Sequence, residues 1–357
     1  MAEFLDRHTW AATIVMTGPA SFLSGGGMRH RIRIILVAAC FAIPAAVIPV
    51  AARAEQPEIV SVHIVDDRTL SFQVYSAAMD KPIRVDVLRP ADRTRPHPTL
   101  YLLNGASGGY GGKSWQDRAP EVFDFLATKE VNVVQPIGGI ASFYGDWRAP
   151  DPVLGVNKWK TFLTAELPPL IDKALGANGI NAIAGVSGSA TAVLNMAIAA
   201  PGLFRAVAAY SGCPQISDPI GHEFVRVVAE FVAGGNLDNM YGAPDNPLWA
   251  ENDPYVHAEK LRGVGLYLYS GTGVPGGYDG YSDEFRTAAD VVDHLIVDGV
   301  TEAATGFCTR NMVDRLLELG IPVTYDLPPD GGHAWQYWRD QLIKSWPVLA
   351  EGLDIEA

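Results

Sequence analysis

The sequence predicts an α/β fold with a mostly parallel central sheet, helices on both faces and an antiparallel N-terminal edge. Short apolar segments typical of strands recur along the chain, and helix-like segments separate the later ones. Buried strands that alternate with amphipathic helices indicate a parallel sheet covered on both faces. Only polar turns separate the first three strands, which favours antiparallel pairing at the start of the sheet.

The predicted strands are residues 59–65, 70–75, 83–88, 99–103, 131–136, 182–186, 206–210, 266–269 and 323–327. The clearest helix-like segments are residues 121–128, 158–174 and 191–199. Pro201 and Gly202 end the last of these helices, because neither residue continues a helix well. Residues 222–260 are rich in loops and helical patterns, and we expect them to form an insertion beside the functional site.

Composition excludes several classes of protein. The chain has 357 residues, of which 48% are hydrophobic, which is ample for a large core and excludes general disorder. A formal net charge of −13 is the opposite of what a nucleic-acid-binding protein needs. Three cysteines cannot support a disulfide-dense scaffold or a four-cysteine zinc site. No His, Asp and Glu cluster has metal-ligand spacing, so we expect neither a metal nor a cofactor.

The N-terminus predicts export. Residues 28–54 have a basic start, an apolar stretch and the small-residue site Ala52-Arg53-Ala54, as in a signal peptide cleaved before Glu55. A retained membrane anchor is the alternative, but two prolines in the apolar stretch and the cleavage site favour removal. Residues 1–27 fit no part of a signal peptide, and we expect them to be a non-native extension before Met28. Residues 55–357 would then form one catalytic domain.

Export also bears on the cysteines. Cys40 would leave with the signal peptide, and Cys213 and Cys308 would remain in an oxidising compartment. The two cysteines could stay free, but secretion favours a disulfide between them.

The most informative stretch is residues 182–190, in which an apolar strand enters the motif Gly-x-Ser-x-Ser and then a helix. The motif alone is weak, since many serines lie between small residues in ordinary loops. Its place between a strand and a helix is typical of the nucleophile elbow of α/β-hydrolases, with Ser187 as the nucleophile. Small residues are needed at Gly185 and Ser189 because the strand and helix backbones approach closely there. The helix N-terminus beside Ser187 favours a developing anion.

A serine nucleophile needs a base and an acid, which follow it in that fold in the order Ser, acid, His. Among the later histidines, His222, His257 and His294 lie in helix-like or polar stretches where a surface role is ordinary. His333 lies in the loop after the last predicted strand and is the predicted base. The position after strand 266–269 favours Asp279 or Asp283 as the acid. Spacing alone does not choose among the carboxylates, which also include Glu284, Asp290, Asp298 and Glu302.

Two backbone N–H groups are expected to form an oxyanion hole. One belongs to Gly188, directly after the nucleophile, and the other to Ala106 in the glycine-rich loop 104–109. This loop lacks both the GK[ST] and the GxGxxG pattern, so nucleotide binding is disfavoured.

Several colinear stretches together resemble the secreted mycolyltransferase antigens of the mycolic-acid-bearing cell envelope. They are residues 102–105 (LLNG), 142–147 (SFYGDW), 158–168 (KWKTFLTAELP), the elbow, 252–254 (NDP), 271–275 (GTGVP) and 333–338 (HAWQYW). The resemblance covers roughly residues 58–346. SFYGDW and KWKTFLTAELP are far more specific than any general hydrolase motif.

The resemblance implies acyl transfer in the cell envelope. Ser187 would take a mycolyl group from trehalose monomycolate and pass it to trehalose or to arabinogalactan. The family places its acid in the stretch matching residues 299–308, which makes Glu302 the preferred acid. A Cys213–Cys308 bond would brace this stretch against the sheet of the elbow. The partners implied are trehalose mycolates and arabinogalactan, and we expect a monomer.

The chain departs from the family pattern in the oxyanion loop. The family commonly has Asp and Arg where this chain has Asn104 and Ser107, and we expect these two residues and Trp335 to contact the substrate. Gly188 replaces a bulkier residue. Two alternatives remain: a plain carboxylesterase with Asp279 or Asp283 as the acid, and a non-catalytic envelope protein that binds glycan or fibronectin.

Overall fold

The computed structural model of the protein describes residues 56–280, 287 and 294–357. The predicted signal peptide, the extension before it and Asp283 lie outside these residues. The described strands are β1 Glu58–Ile64, β2 Thr69–Ser76, β3 Lys81–Leu88, β4 Thr99–Leu103, β5 Asn132–Ile137, β6 Asn181–Val186, β7 Ala206–Tyr210, β8 Gly265–Tyr269 and β9 Thr324–Asp326. The described helices are α1 Trp115–Arg118, α2 Pro120–Leu126, α3 Trp159–Thr161, α4 Leu167–Leu175, α5 Gly188–Ala199, α6 Pro219–Arg226, α7 Leu237–Met240, α8 Pro247–Glu251, α9 Gly299–Glu318 and α10 Trp335–Leu353.

The described strands form one sheet in the order β1-β2-β3-β5-β4-β6-β7-β8-β9. Pairing is antiparallel from β1 to β5, with a register shift between Ile59 and Ser61, and parallel from β5 to β9. The predicted fold class, a mostly parallel sheet with an antiparallel N-terminal edge, is confirmed. The carboxyl ends of β4, β6, β7 and β8 meet at one edge of the sheet, where ligands bind in open α/β sheets.

Alternate residues of the parallel strands supply two cores, one on each face of the sheet. Tyr101 and Leu103 of β4 lie in the core under α4 and α5, whereas Leu100 and Leu102 lie in the core under α2 and α10. A strand buried on both faces needs apolar residues at successive positions rather than at every second one. For this reason strands such as β7 and β8 are continuous apolar runs in the sequence.

The predicted helix at 158–174 is interrupted. A π-helical turn, Phe162–Glu166, joins α3 to α4, and the Leu167 N–H donates to the Phe162 carbonyl, five residues back. Pro168 and Pro169 follow and have no N–H to donate, so an α-helical register cannot continue through this point.

The insertion between β7 and β8 carries α6, α7 and α8, a π-helical turn at Val227–Val232 and a 3-10 turn at Ala258–Leu261. Its apolar residues form a third cluster around Phe224, Tyr241 and Trp249, which also takes in Phe143 and Trp147. None of the described helices combines the length and apolar character needed to cross a membrane.

Candidate active site

Ser187 lies on a tight turn between β6 and α5. Its backbone has φ 58° and ψ −128°, a conformation that L-residues rarely adopt. Its N–H donates to the Tyr210 carbonyl at 2.8 Å, and the Ser189 Oγ accepts from the Val186 N–H at 2.8 Å. A Cβ atom at Gly185 would lie 2.7 Å from the carbonyl oxygen of Ser189, so only glycine fits there. The turn thus has the close strand-to-helix approach expected of a nucleophile elbow.

His333 faces Ser187 from the loop between β9 and α10. Its Nε2 lies 3.0 Å from the Ser187 Oγ, and its Nδ1 lies 2.7 Å from the Glu302 Oε2. A carboxylate only accepts hydrogen bonds, so the proton of the neutral ring belongs on Nδ1. Nε2 is then an acceptor for the serine hydroxyl, and an imidazole in this position can remove the serine proton.

Glu302 lies in the first turn of α9 and is fully buried. Its second oxygen, Oε1, accepts from the Ser211 hydroxyl at 2.8 Å, the Ser270 hydroxyl at 2.8 Å and the Gly271 N–H at 2.6 Å. These three donors come from the carboxyl ends of β7 and β8, so the sheet holds the carboxylate. A buried charge must be bonded in this way to be tolerated.

The electrostatic effect of Glu302 reaches a neighbouring tyrosine. Burial raises the pKa of the Tyr269 hydroxyl far above its ordinary value, and the charges of nearby groups, Glu302 first, add to this effect. Tyr269 therefore stays neutral across the physiological range and adds no charge to the site.

Asp279, one of the sequence candidates for the acid, has another place. Its Oδ2 accepts from the N–H groups of Gly276 and Gly332 at 2.7 and 3.1 Å and from the Tyr337 hydroxyl at 2.7 Å. It therefore ties the loop after β8 to the residue before His333. Glu302, and not Asp279, is the carboxylate on the His333 ring, which favours the acid implied by the family resemblance over the one chosen by position.

The two N–H groups expected to form an oxyanion hole border the same small cavity. Ala106 and Gly188 both line it, and a Cβ atom at Gly105 would lie 3.6 Å from the Ser187 Cβ. Neither N–H has a hydrogen-bond partner among the described residues. The Ala106 carbonyl accepts from the Ala141 N–H at 2.8 Å, which fixes the loop. The space beside Gly188 is filled by the Phe143 ring, 3.2 Å from where a Cβ would stand.

A cleft of about 410 Å³ opens above Ser187 and His333. Gly105, Ala106 and Ser107 of the oxyanion loop line it, and its remaining lining residues fall into an apolar and a charged set. The apolar set is Ile140, Ala141, Val232, Ala233, Ala334, Trp335 and Trp338, and the charged set is Lys113, Arg118 and Asp298. A cleft of this composition can take a substrate with one apolar part and one polar part.

The sequence profile of a family described as putative esterase matches residues 76–349. The chain belongs to this esterase family.

Sequence relatives of the chain are named mycolyltransferases. It is 29% identical over 290 residues to the diacylglycerol acyltransferase/mycolyltransferase Ag85B of Mycobacterium avium, a match that covers 78% of this chain and 81% of the relative. The resemblance to the mycolyltransferase antigens is thereby confirmed. With the esterase family match, these relatives make the protein an enzyme of the acyltransferase and esterase class.

Solved structures share its fold. The TM-score with Mycobacterium tuberculosis MPT51 (FbpC1) is 0.64 at 23% identity, with 84% of this chain and 100% of that chain covered. The TM-score with an S-formylglutathione hydrolase from Agrobacterium tumefaciens is 0.59 at 15% identity, covering 83% and 99%. At these identities the likeness shows the α/β-hydrolase fold alone.

Of the three residues expected to contact substrate, two line the cleft and one does not. Ser107 and Trp335 line it. Asn104 is fully buried, and its amide donates to the Pro136 carbonyl and accepts from the Trp115 N–H and the Gln135 amide. Asn104 therefore holds the loop from inside, which corrects the expectation that it contacts the substrate: hydrogen bonds within the protein engage both the oxygen and the nitrogen of its amide.

The expected disulfide joins Cys213 and Cys308. Cys213 follows β7 and Cys308 lies on α9, so the bond links the helix that carries Glu302 to the sheet that carries Ser187.

Sequence reasoning missed the side chains around this triad. Ser211 and Ser270 directly follow β7 and β8, and the order of the parallel strands would have placed them beside the elbow. Trp338 contacts two members of the network. Its Nε1 donates to the Ser211 Oγ at 2.9 Å, and its ring packs edge-on against His333 with centroids 4.8 Å apart.

Among the described residues, one group brings three potential metal ligands together: Asp92, His97 and Glu130. The guanidinium of Arg95 lies 3.3 Å from a carboxylate oxygen of both acids. A cation therefore already occupies the place between the carboxylates, and the group does not fit a metal site.

Proposed function

We propose that the enzyme is a secreted acyltransferase that moves a mycolyl group from trehalose monomycolate to trehalose or arabinogalactan through an acyl-enzyme at Ser187. The observation that carries this proposal is the connected series Ser187, His333 and Glu302. The Ser187 Oγ lies 3.0 Å from the His333 Nε2, and the His333 Nδ1 lies 2.7 Å from the Glu302 Oε2. The relatives named mycolyltransferase support a mycolyl group as the acyl group that is transferred.

In the first half-reaction His333 takes the Ser187 proton while Oγ attacks the ester carbonyl. The Ala106 and Gly188 N–H groups stabilise the oxyanion, and removal of one such donor typically costs about 3 kcal/mol. His333 then protonates the departing sugar oxygen. In the second half-reaction an acceptor hydroxyl gives its proton to His333 and takes the acyl group. Glu302 keeps the ring oriented and stabilises the imidazolium.

Incubation of the purified enzyme with trehalose monomycolate, with and without trehalose, tests the proposal. We expect trehalose dimycolate to form, at a rate that rises with trehalose concentration, and we expect the Ser187→Ala variant to form none. Free mycolic acid as the sole product would contradict acyl transfer.

A carboxylesterase, with water as the acceptor, is the second candidate. The description of the matching family as putative esterase favours it. Under this alternative trehalose would not change the rate of release of free acid from an ester substrate.

A fluorophosphonate probe separates both enzymes from a non-catalytic protein that binds envelope glycan. We expect covalent labelling of Ser187, located by peptide mass spectrometry, and no labelling of Ser187→Ala. An unlabelled but folded wild-type protein would contradict both catalytic proposals.

A further inference from the structure

The cleft at Ser187 has a cationic wall, which we define as Lys113 and Arg118. Both residues line the cleft. The whole chain has a formal net charge of −13, so this positive spot is not a consequence of overall composition. Among the described lining residues, Asp298 is the one carboxylate beside these two cationic residues.

Short-range bonds tie the cationic wall to the site. Ser114 caps α1 in a capping box with Asp117, and the Asp117 Oδ2 accepts from the Ser114 N–H at 3.2 Å and the Ser114 hydroxyl at 2.7 Å. The Arg118 Nε donates to the Gly112 carbonyl at 2.9 Å. The Ser107 hydroxyl donates to the Lys113 carbonyl at 3.3 Å, which links the wall to the loop that carries Ala106.

The Lys113 ammonium group is available to a ligand. Lys113 is exposed, and its Nζ has no hydrogen bond or ion pair with any described residue. Gly111 and Gly112, which precede it, have φ values of 66° and 68° and open space where a Cβ would stand. No described side chain therefore packs where a Cβ would stand at the two residues before Lys113. An unpaired ammonium beside a guanidinium is suited to phosphate or sulfate, which offer several acceptor oxygens.

We propose that the cationic wall binds a phosphate or sulfate group on the alcohol half of the substrate, so that an anionic acceptor is used in preference to a neutral one. The inference rests on the proposed function. The apolar lining suits the acyl chain, which leaves the cationic wall to the alcohol. In the transfer step the acceptor oxygen forms an ester bond to the acyl carbon, the bond from that carbon to Ser187 Oγ breaks, and the acceptor proton passes through His333 to Oγ.

The experiment measures transfer from a neutral p-nitrophenyl ester to trehalose and to trehalose 6-phosphate. We expect half-saturation at about tenfold lower concentration with the phosphate, as for a charge-assisted contact in a partly solvated cleft. Lys113→Gln should reduce this preference several-fold, Lys113→Arg should keep it, and added salt should weaken it. Lys173→Gln, the same charge change at an exposed site on α4, should leave it unaltered.

Two further measurements complete the experiment. One identifies the source of the anion, and the other distinguishes failure of this inference from failure of the proposed reaction. Glycerol 1-phosphate as a better acceptor than trehalose 6-phosphate would assign the site to a lipid headgroup, and the reverse to a sugar phosphate. Calorimetry on Ser187→Ala measures binding without turnover, so loss of the proposed reaction does not affect it. Equal binding of trehalose and trehalose 6-phosphate, or a preference unchanged in Lys113→Gln, would overturn the inference.

Discussion

The turn that presents the Ser187 hydroxyl requires an unfavourable backbone conformation. A non-glycine residue in such a conformation costs on the order of 1–3 kcal/mol, and it persists only because its surroundings determine it. Here the bond from its N–H to the Tyr210 carbonyl and the contacts of Ser189 supply that support. The result is a hydroxyl that projects from the turn toward His333 rather than into the helix.

Gly185→Ala tests how tightly the elbow is packed. The new methyl group would meet the backbone oxygen of Ser189 at 2.7 Å, and backbone cannot move aside as a flexible side chain can. We expect a loss of about 1–3 kcal/mol in the free energy of unfolding, as for overpacking elsewhere, measured by urea denaturation. Gly277→Ala is the matched control, since a Cβ there meets nothing within 4 Å. Equal stability of the two variants would contradict the close approach.

Glu302→Gln tests which acid serves His333. The amide keeps the shape but lacks the charge that stabilises an imidazolium, so we expect kcat to fall about 10³- to 10⁴-fold with the fold intact. Asp279→Asn should cost about tenfold or less, the effect of weakening the hydrogen bonds that its Oδ2 accepts in the loop. The reverse order of the two losses, in assays with a p-nitrophenyl ester, would assign the acid to Asp279 instead.

At the scale of elements, α9 and the ends of two strands together position the carboxylate of Glu302. Glu302 stands in the first turn of a 20-residue helix, where the helix dipole favours a carboxylate. The donors to its Oε1 come from Ser211, Ser270 and Gly271, at the carboxyl ends of β7 and β8. A shift of α9 along the sheet would therefore break several hydrogen bonds at once, which couples the position of the helix to the orientation of His333.

Removal of the disulfide tests this coupling. The Cys213→Ala, Cys308→Ala double variant loses a link across 95 residues, and chain-entropy arguments give an upper loss of about 4–5 kcal/mol in unfolding free energy. We expect a lower midpoint in urea and a lower kcat, because α9 carries Glu302. A reducing agent should have no further effect on the variant. A wild-type protein whose midpoint does not change on full reduction would contradict the prediction.

At the scale of the whole molecule, the N-terminal prediction concerns where the chain is exported. We expect the protein recovered from the culture medium or envelope of an expressing mycolic-acid-bearing host to begin at Glu55, as read by N-terminal sequencing. The small residues Ala52 and Ala54 stand at the positions a signal peptidase reads. Ala54→Leu should block cleavage and retain the uncleaved chain. An exported protein that keeps residues 28–54 would favour the membrane anchor.

The sheet was predictable because each strand carries its own signal. The observed bounds of the strands lie within one or two residues of the predicted ones, since runs such as residues 206–210 are apolar at every position and end at a polar residue. The π-helical turn before α4 was not predicted. The turn reflects a change in backbone hydrogen bonding next to two prolines, which have no N–H to donate. The spacing of apolar residues in the sequence does not show such a change.

By itself, the sequence determined the strand and helix pattern, the elbow at Ser187 and the histidine loop, because each depends on neighbours along the chain. Folding decided what depends on distant segments. It placed Glu302 rather than Asp279 on the imidazole, turned Asn104 inward and brought Lys113 and Arg118 to the cleft. The physical reason is that hydrogen bonds and burial act over a few ångströms in space, and residues 115 positions apart, as Ser187 and Glu302 are, become neighbours only when the parallel strands align.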